Sequence, residues 1–184
     1  MPDAVKKTVA LVLGGVRSGK SRWALEFAAR GRAVAFLATA EALDDEMRAR
    51  IARHRAERPA GWTTVETPLA LPEAIEECGR SCDLLVVDCL TLWTANLLTA
   101  EQGDRDRILA HADRLCAALA RTAASVVLVS NEVGWGIVPA DPETRLYRDL
   151  LGEINQRVAR VADQVVLLVA GCPVQVKPAP GGAR

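Results

Sequence analysis

The residues best suited to chemistry form a glycine-rich loop near the start of the chain, GGVRSGKS at positions 14–21. The pattern G-x-x-x-x-G-K-S is that of a phosphate-binding P-loop, set here between an apolar run and a helical pattern. Its glycines allow backbone N–H groups to turn inward around phosphate oxygens. Lys20 supplies an ammonium group for the β and γ phosphates, and Ser21 supplies a hydroxyl ligand for Mg²⁺. We predict a nucleotide site, in which Arg17 either contacts a phosphate or faces solvent.

Polar residues follow two other apolar runs. Asp88 ends the run LLVVD, the form expected of a carboxylate that assists Mg²⁺–nucleotide binding at the carboxyl end of a strand; the alternative is an Asp that caps the next turn. Thr91 is a lesser candidate for a polar contact. Asn131 and Glu132 follow the run at 125–130 in the same way. Glu132 is interpreted either as a general base or water-mediated metal contact, or as part of a surface loop.

A histidine lies on a predicted helix at 43–57. Four arginines surround it in the sequence, namely Arg50, Arg53, Arg55 and Arg58. Their positive charge should favour the neutral imidazole of His54, which is the nucleophilic form, and would suit an anionic phosphate substrate. A lone histidine is more often structural or solvated, so the residues alone leave this role open. His111, in an Ala-rich helix without such a setting, is interpreted as a surface residue.

The elements that must position these residues alternate between short apolar runs and longer helical patterns. Apolar runs without polar alternation are typical of strands covered by helices on both faces. Strands are predicted at 8–13, 33–38, 84–88, 125–130 and 164–170, with a small extra strand at 62–66 and a closing strand or hairpin arm at 174–177. Helices are predicted at 20–30, 43–57, 72–79, 104–121 and 142–162, the last with Asp141 as its N-cap.

This alternation predicts an α/β fold with a mostly parallel sheet flanked by helices. Together with the P-loop it indicates a P-loop NTPase-like (RecA-like) single domain over residues 1–177, followed by a flexible tail at 178–184. The total of 184 residues suits one domain with a sizeable core.

Composition narrows the class of protein. Lys plus Arg number 23 and Asp plus Glu number 23, so the chain lacks the basic excess typical of nucleic-acid-binding proteins. The cysteines number 5, an odd count without a Cys-x-x-Cys pair, which indicates free thiols. No apolar run approaches the length of a membrane span, and the start lacks a signal-peptide pattern. We expect a cytoplasmic enzyme that binds no nucleic acid.

Five stretches, in order along the chain, carry a family resemblance: GGVRSGKSRWA, ATAEALDDEMRARIARHRAERPAGW, VVDCLTLWTANLL, SNEVGWGIVP and RDLLGEINQRVARVAD. Together they resemble the bifunctional adenosylcobinamide kinase / adenosylcobinamide-phosphate guanylyltransferase family of cobalamin biosynthesis, over nearly the whole chain. Many families share the P-loop, whereas DDEM…RIxxHxxxRP and NEVGxGIVP are far more specific.

The resemblance implies two reactions. In the first, a nucleoside triphosphate, ATP or GTP, phosphorylates the aminopropanol hydroxyl of adenosylcobinamide. In the second, GMP passes from GTP to that phosphate and pyrophosphate is released.

The resemblance also implies roles for individual residues. A histidine in this family carries GMP as a covalent phosphoramidate, and the matching position is His54; relatives can have two adjacent histidines where this chain has Arg53 and then His54. Lys20 joins His54 as a catalytic residue, and Ser21 and Asp88 would bind Mg²⁺. Relatives can have Glu at the position of Asp88, and the shorter Asp suits a water-bridged metal contact. The family is trimeric, so a homotrimer is expected. The implied nucleotide-binding set is Gly14, Gly15, Val16, Arg17, Ser18, Gly19, Lys20, Ser21, Thr39, Ala40, Glu41, Arg55, Ala56, Glu57, Arg58, Glu66 and Asp88.

Other interpretations stay open on the residues alone. The chain could be a P-loop small-molecule kinase without guanylyl transfer, or a GTP-hydrolysing switch protein. If one P-loop serves both reactions, the helix at 43–57 is predicted to shift between the states that carry out the two reactions. Two further sets of residues have alternative roles. The tryptophans are either core aromatics or part of a surface that binds the corrinoid; they are Trp23, Trp62, Trp93 and Trp135. A polar helix face is either solvated or contacts the site or another subunit; its residues are Arg145, Arg148, Asn155 and Gln156.

Overall fold

Seven strands form one sheet in the computed structural model, which describes residues 7–42, 44–56 and 58–178. The strands are β1 (Val9–Gly14), β2 (Val34–Ala38), β3 (Thr63–Glu66), β4 (Leu84–Asp88), β5 (Ser125–Val129), β6 (Gln164–Val169) and β7 (Cys172–Lys177). Their order across the sheet is β3-β2-β4-β5-β1-β6-β7. Every neighbouring pair is parallel except β6 and β7, which form an antiparallel hairpin. The predicted α/β fold with a mostly parallel sheet is confirmed, and so are the small extra strand and the closing strand.

Six helices accompany the sheet in the part of the chain that the structure describes. They are α1 (Lys20–Ala28), α2 (Asp45–Ala56), α3 (Leu71–Cys78), α4 (Leu90–Ala100), α5 (Arg105–Arg121) and α6 (Pro142–Val161). The predicted N-cap of α6 is confirmed, because the Asp141 carboxylate accepts a hydrogen bond from the Thr144 N–H at 2.7 Å. Leu43 and Glu57, the predicted ends of the second helix, lie outside the described residues, as do positions 179–184 of the predicted tail.

Helix α4 was absent from the sequence prediction. Its sequence, LTLWTANLLTA, is apolar on most sides, and Cys89 precedes it without a capping side-chain hydrogen bond. Periodicity therefore gives a weak signal, since a helix buried on several sides shows little amphipathic contrast. Trp93 and Leu97 are fully buried in it, and the Trp93 indole N–H donates to the Leu69 carbonyl at 3.0 Å. Tertiary packing, rather than local pattern, accounts for this helix.

Strand alternation divides the core into two layers. In β4, Leu84 and Val86 pack in the layer that contains α1, whereas Leu85 and Val87 pack in the opposite layer with α3, α4, α5 and α6. Because side chains alternate along a strand, Asp88 continues the Leu84–Val86 face, on the side of α1. The carboxyl ends of β1 to β5 meet at one edge of the sheet, which gathers the residues that follow them. No helix within the described residues is long and apolar enough to cross a membrane.

Candidate active site

The P-loop connects β1 to α1, and two of its glycines are required by its shape. Gly14 has φ 152°, and a Cβ there would lie 2.6 Å from both the Leu168 carbonyl oxygen and Ser18 Oγ. Gly19 has φ 100°, and a Cβ there would lie 3.3 Å from Gly171 Cα. The Gly171 N–H donates to the Ser18 carbonyl at 2.9 Å. The loop is therefore held closely against the turn between β6 and β7, where a side chain at position 14 would not fit and one at position 19 would be strained.

Lys20 begins α1 with its ammonium group inside the loop. The Lys20 Nζ donates to the Gly15 carbonyl at 2.6 Å, and the residue is only 8% exposed. Burial lowers the pKa of Lys20, while the nearby Cys89 and Asp88 groups raise it and so oppose that effect. A buried ammonium group beside a carboxylate and an open loop is well placed for phosphate oxygens.

A cavity of about 780 Å³ opens beside the loop. It has a volume in the range typical of small-molecule sites. Thirteen of the sequence-predicted residues line it: Val16, Arg17, Ser18, Gly19, Lys20, Ser21, Ala40, Glu41, His54, Arg55, Arg58, Glu66 and Asp88. The structure thus brings together residues from four separate strand ends and from α2, which are far apart in sequence.

Four predicted residues do not line this cavity. Gly14 is buried beneath the loop, and Gly15 presents its carbonyl to Lys20. Thr39 is fully buried and forms hydrogen bonds with the backbone of Cys89. Ala56 is exposed at the end of α2. Glu57 and the side chain of Arg50 lie outside what the structure describes, so their roles stay predictions.

His54 shares a narrow recess with the two predicted metal ligands. The recess is lined by Ser21, His54 and Asp88, together with apolar residues that include Val86 and Val129. Ser21 comes from the first turn of α1, Asp88 from the end of β4, and His54 from the last turn of α2. An imidazole therefore lies at the same place as the hydroxyl and carboxylate that were expected to serve the nucleotide. Sequence spacing could not show this proximity.

Arg58 is held in a defined position at the cavity wall. Its guanidinium carbon lies 3.6 Å from the centroid of the Phe36 ring, and its Nη1 donates to Thr64 Oγ1 at 3.2 Å. Burial lowers the pKa of Arg58, against the opposing charge of Asp88. The Arg58 Nε is buried and has no hydrogen-bond partner among the described residues. A fixed guanidinium of this kind suits an anionic or hydrogen-bond-accepting ligand.

Several cavity residues were missed by the prediction of the site. These are Arg22, Ala38, Ala42, Met47, Ile51, Thr64, Pro68, Cys89, Leu92, Val129 and Asn131, while Thr91, a lesser candidate, also lines the wall. Met47 and Ile51 lie four residues apart on α2 and are partly buried. Their four-residue spacing with His54 nearby was the available signal.

Two arginines of the polar face of α6 form hydrogen bonds with the loop after β5. Arg148 Nη1 and Nη2 donate to the carbonyls of Ile137 at 3.0 Å and Gly134 at 3.1 Å. Arg145 Nη1 donates to the Pro139 carbonyl at 2.9 Å. The interpretation as a solvated face is therefore wrong for these arginines, because α6 packs beside the loop after β5 and satisfies its carbonyl groups. Gln156 is exposed, as that interpretation predicted.

Contacts and exposure bear on three other interpretations. Glu132 accepts a hydrogen bond from the Gly134 N–H at 2.7 Å and does not line the cavity, which favours the loop interpretation over a general base. His111 is not a free surface residue: its Nε2 lies 2.8 Å from Glu101 Oε1, and its side chain is 20% exposed. Trp93 is a core residue, whereas Trp135 is 78% exposed.

The residues present fit a magnesium ion that arrives with a nucleotide. Ser21 and Asp88 line one recess, and they supply a hydroxyl and a carboxylate, which are oxygen ligands. Mg²⁺ commonly binds through one or two carboxylates together with substrate phosphates and water, so it needs no larger protein cage. The donor set and its position beside the loop are therefore compatible with Mg²⁺.

The fold and site define a P-loop nucleotide-binding protein, because a mostly parallel sheet carries the P-loop at the end of β1 and an acidic residue at the end of β4.

Residues 10–176 match the family model described as cobinamide kinase / cobinamide phosphate guanyltransferase. The chain is 44% identical, over 171 residues, to the bifunctional adenosylcobalamin biosynthesis protein CobP of Pseudomonas aeruginosa, with 92% of this chain and 98% of that protein covered. It is 42% identical over 178 residues to the bifunctional adenosylcobalamin biosynthesis protein CobU of Escherichia coli, with 91% and 98% covered. CobU of Salmonella typhimurium is likewise 42% identical over 178 residues, with 91% of this chain and 98% of that protein covered.

The chain belongs to the cobinamide kinase / cobinamide phosphate guanyltransferase family. The family resemblance seen in the sequence is confirmed, and so is the enzyme class, a kinase and guanylyltransferase of cobalamin biosynthesis. Nucleotide substrates fit both activities of the family.

Proposed function

We propose that this protein phosphorylates adenosylcobinamide with ATP or GTP and then transfers GMP from GTP to the product through a covalent GMP–His54 intermediate. The observation that carries the proposal is the recess shared by His54, Ser21 and Asp88 beside the P-loop. That arrangement brings a nucleophilic side chain next to the residues that would hold a triphosphate. The product is adenosylcobinamide-GDP.

Guanylyl transfer proceeds in two displacements. An imidazole nitrogen of His54 attacks the α phosphorus of GTP, the bond from that phosphorus to the α,β-bridging oxygen breaks, and pyrophosphate leaves with the electron pair. A phosphate oxygen of the acceptor then attacks the same phosphorus and releases His54. Lys20 and the arginines at the cavity wall, Arg17, Arg55 and Arg58, stabilise the charge that develops on the phosphate oxygens.

Mg²⁺ is proposed to enter with the nucleotide, held by Ser21 and by Asp88, the latter directly or through water. When bound, it would neutralise charge on the phosphate oxygens. The support is the compatible donor set in the recess. Replacement of Asp88 by Asn should raise the Mg²⁺ concentration needed for half-maximal rate, and an unchanged requirement would contradict this role.

Helix α2 is proposed to change position between the two reactions. Among its described side chains only Met47, Ile51 and His54 are partly buried, and the others are exposed. A helix with so little buried surface can shift at low cost, because few apolar contacts must be broken. Crystal structures with and without GTP that show the same His54 position would count against this movement.

The covalent intermediate is tested by intact-mass measurement after incubation with GTP and Mg²⁺. The unaltered protein should gain the mass of one GMP, and His54→Ala should not, while it keeps the kinase reaction. His111→Ala is the matched control, since the other histidine of the chain does not line the cavity and should leave the adduct unchanged. An adduct of undiminished yield in His54→Ala would overturn the assignment.

The GMP adduct, together with GTP turnover measured with and without a corrinoid acceptor, separates the alternative functions. A P-loop kinase without guanylyl transfer would form no acid-labile, alkali-stable adduct with GTP. A GTP-hydrolysing switch would turn over GTP without a corrinoid acceptor.

We further propose a cytoplasmic homotrimer, on the strength of the family resemblance alone, and sedimentation equilibrium of the purified protein tests its stoichiometry.

A further inference from the structure

Asn131 follows β5 with both of its backbone groups held by other elements. Its N–H donates to Thr91 Oγ1 on α4 at 2.9 Å, and its carbonyl accepts from Asn155 Nδ2 on α6 at 3.1 Å. The Tyr147 hydroxyl on α6 donates to the Thr91 carbonyl at 3.2 Å. Burial raises the pKa of Tyr147 from 10.0 to about 12, so the hydroxyl remains a donor to higher pH than an ordinary phenol does. Two side chains, those of Thr91 and Asn155, therefore hold the Asn131 backbone, and Tyr147 in turn holds the backbone of Thr91.

Strand alternation places Asn131 on the face of the sheet that carries the P-loop helix. Hydrogen bonds between the β5 extension and β1 continue past the strand, from Ser130 N–H to the Val12 carbonyl at 2.9 Å and from Glu132 N–H to the Gly14 carbonyl at 3.2 Å. Val127 and Val129 pack in the layer of α1, so Asn131, two residues on, shares their face. Glu132 falls on the other face, which explains why it does not line the cavity.

This face is also the face of Asp88. Asp88 pairs in register with Val129, and β5 lies between β4 and β1 in the sheet. Asn131 is therefore between the strand that ends in the acidic residue and the strand that leads into the P-loop. It lines the same cavity as Lys20 and Asp88.

The side-chain amide of Asn131 has no hydrogen-bond partner among the described residues, although its backbone is fully engaged. An amide offers two N–H donors and a carbonyl acceptor from one rigid group. Fixing the backbone so firmly limits the movement of this amide and lowers the cost of ordering it around a ligand. Asn131 and His54 both line the cavity, but the small recess of His54, Ser21 and Asp88 does not include Asn131.

We propose that Asn131 is a catalytic residue of the kinase reaction, and that Thr91, Tyr147 and Asn155 position it. The Asn131 amide N–H donates to an oxygen of the γ phosphoryl group, and its carbonyl oxygen accepts from the hydroxyl of the acceptor alcohol. This inference rests on the proposed function and assigns its phosphoryl-transfer half. Asn131 thereby aligns donor and acceptor, which is the main contribution a protein makes to such a transfer.

The step balances without a further reactant. The alcohol oxygen forms a bond to the γ phosphorus while the bond from that phosphorus to the β,γ-bridging oxygen breaks. The nucleoside diphosphate leaves with the electron pair, and the hydroxyl proton passes to water. Asn131 neither gains nor loses a proton, since it acts only through hydrogen bonds.

The test compares the two half-reactions in Asn131→Ala. Its kcat for adenosylcobinamide phosphorylation should fall by about 10²-fold, the usual cost of one donor to a developing phosphoryl charge. The yield of GMP adduct from GTP should not change. Asn131→Asp, which keeps the size but places a carboxylate against the γ phosphate, should lose at least as much, and it decides the matter if the Ala variant does not fold. Glu132→Gln is the matched control and should keep both half-reactions.

The positioning residues have their own readout. Thr91→Val removes the hydroxyl that holds the Asn131 N–H, whereas Thr91→Ser keeps it. The Val variant should lower kcat for phosphorylation with little change in KM for the nucleotide, and the Ser variant should restore it. Phosphorylation unaffected in Asn131→Ala and Asn131→Asp, or an equal loss of kinase rate and GMP adduct, would overturn the inference. A missing GMP adduct on the unaltered protein would instead contradict the proposed role of His54, because phosphorylation is measured separately.

Discussion

Thr39 Oγ1 donates to the Cys89 carbonyl at 2.7 Å and accepts from the Cys89 N–H at 2.8 Å, so one hydroxyl holds both backbone groups of the residue after Asp88. Asn96 Nδ2 in turn donates to the Thr39 carbonyl at 2.8 Å and to the Pro68 carbonyl at 3.1 Å. Thr39 is fully buried and does not line the cavity. The ends of β2, β3 and β4 are thus connected through this threonine, which supports a positioning role rather than contact with the nucleotide.

Replacement of Thr39 by Val should lower the free energy of unfolding by about 2 kcal/mol, because two buried backbone groups lose their partner. It should also raise KM for GTP, since Asp88 is adjacent to the released turn. Thr39→Ser keeps the hydroxyl and serves as the control. Urea unfolding and steady-state kinetics provide the measurements, and equal stability of the Val and Ser variants would refute this role.

Gly14→Ala and Gly15→Ala form a matched pair within the P-loop. The new Cβ at position 14 would lie 2.6 Å from Leu168 O and Ser18 Oγ, whereas at position 15 no atom lies within 4 Å. Gly14→Ala should therefore abolish tight nucleotide binding and lower the melting temperature, and Gly15→Ala should keep the fold. Calorimetry and GTP titration distinguish them; similar losses in both variants would mean that the close approach at Gly14 is not what limits the loop.

Lys20→Ala should slow both phosphorylation and GMP adduct formation by about 10²-fold or more, because one buried cation serves the triphosphate in each reaction. The pH dependence gives a second measure. Burial lowers the pKa of Lys20 from the ordinary 10.5, so kcat/KM should decline with rising pH before that value is reached. Lys20→Arg, which stays charged, should remove this alkaline decline, and a profile unchanged by that substitution would assign it to another group.

Cys89 should make stability depend on alkaline pH. Burial first, and then the Asp88 charge, raise the pKa of the Cys89 thiol from 9.0 to about 11. A folded-state pKa above the unfolded value means that the contribution is fully present below pH 9 and is lost as the pH rises from about 9 to about 11. Cys89→Ala should reduce the loss of stability in that window, measured by urea unfolding at a series of pH values. Cys172→Ala is the control, because that thiol is exposed; parallel curves for the Cys89 variant and the unaltered protein would contradict this contribution.

Most strands could be predicted because their apolar runs are uninterrupted and their ends coincide with polar residues. Strand β4 was predicted with the bounds that the structure shows. The start of helix α6 was predicted from the capping residue Asp141 and from Pro142 after it. Helix α4 was missed because it is apolar around most of its surface, so neither helical periodicity nor a cap distinguishes it. Local signals therefore predicted the uninterrupted apolar strands and the capped or amphipathic helices, and failed for the helix that is buried on several sides.

The candidate site was predictable only as separate parts. The P-loop and the strand-ending Asp88 follow from local chemistry, because phosphate and metal binding require particular residue types at particular spacings. Thr39 was predicted to contact the nucleotide, yet its hydroxyl is hydrogen-bonded to the backbone of Cys89. Asn131 was assigned no role from the sequence, although it lines the cavity. Such assignments depend on which face a residue takes and on what surrounds it, and one sequence does not contain those distances.

By itself the sequence determined the P-loop, the α/β alternation and, through its specific stretches, the family, because each depends on residue types at short separations. Only the tertiary structure decided the strand order β3-β2-β4-β5-β1-β6-β7, and hence which strand ends are neighbours. It likewise brought His54 into one recess with Ser21 and Asp88, and Asn131 to the cavity wall. The physical reason is that long-range packing of helices on a twisted sheet sets these distances, and its energy is spread over many weak contacts that no local motif records.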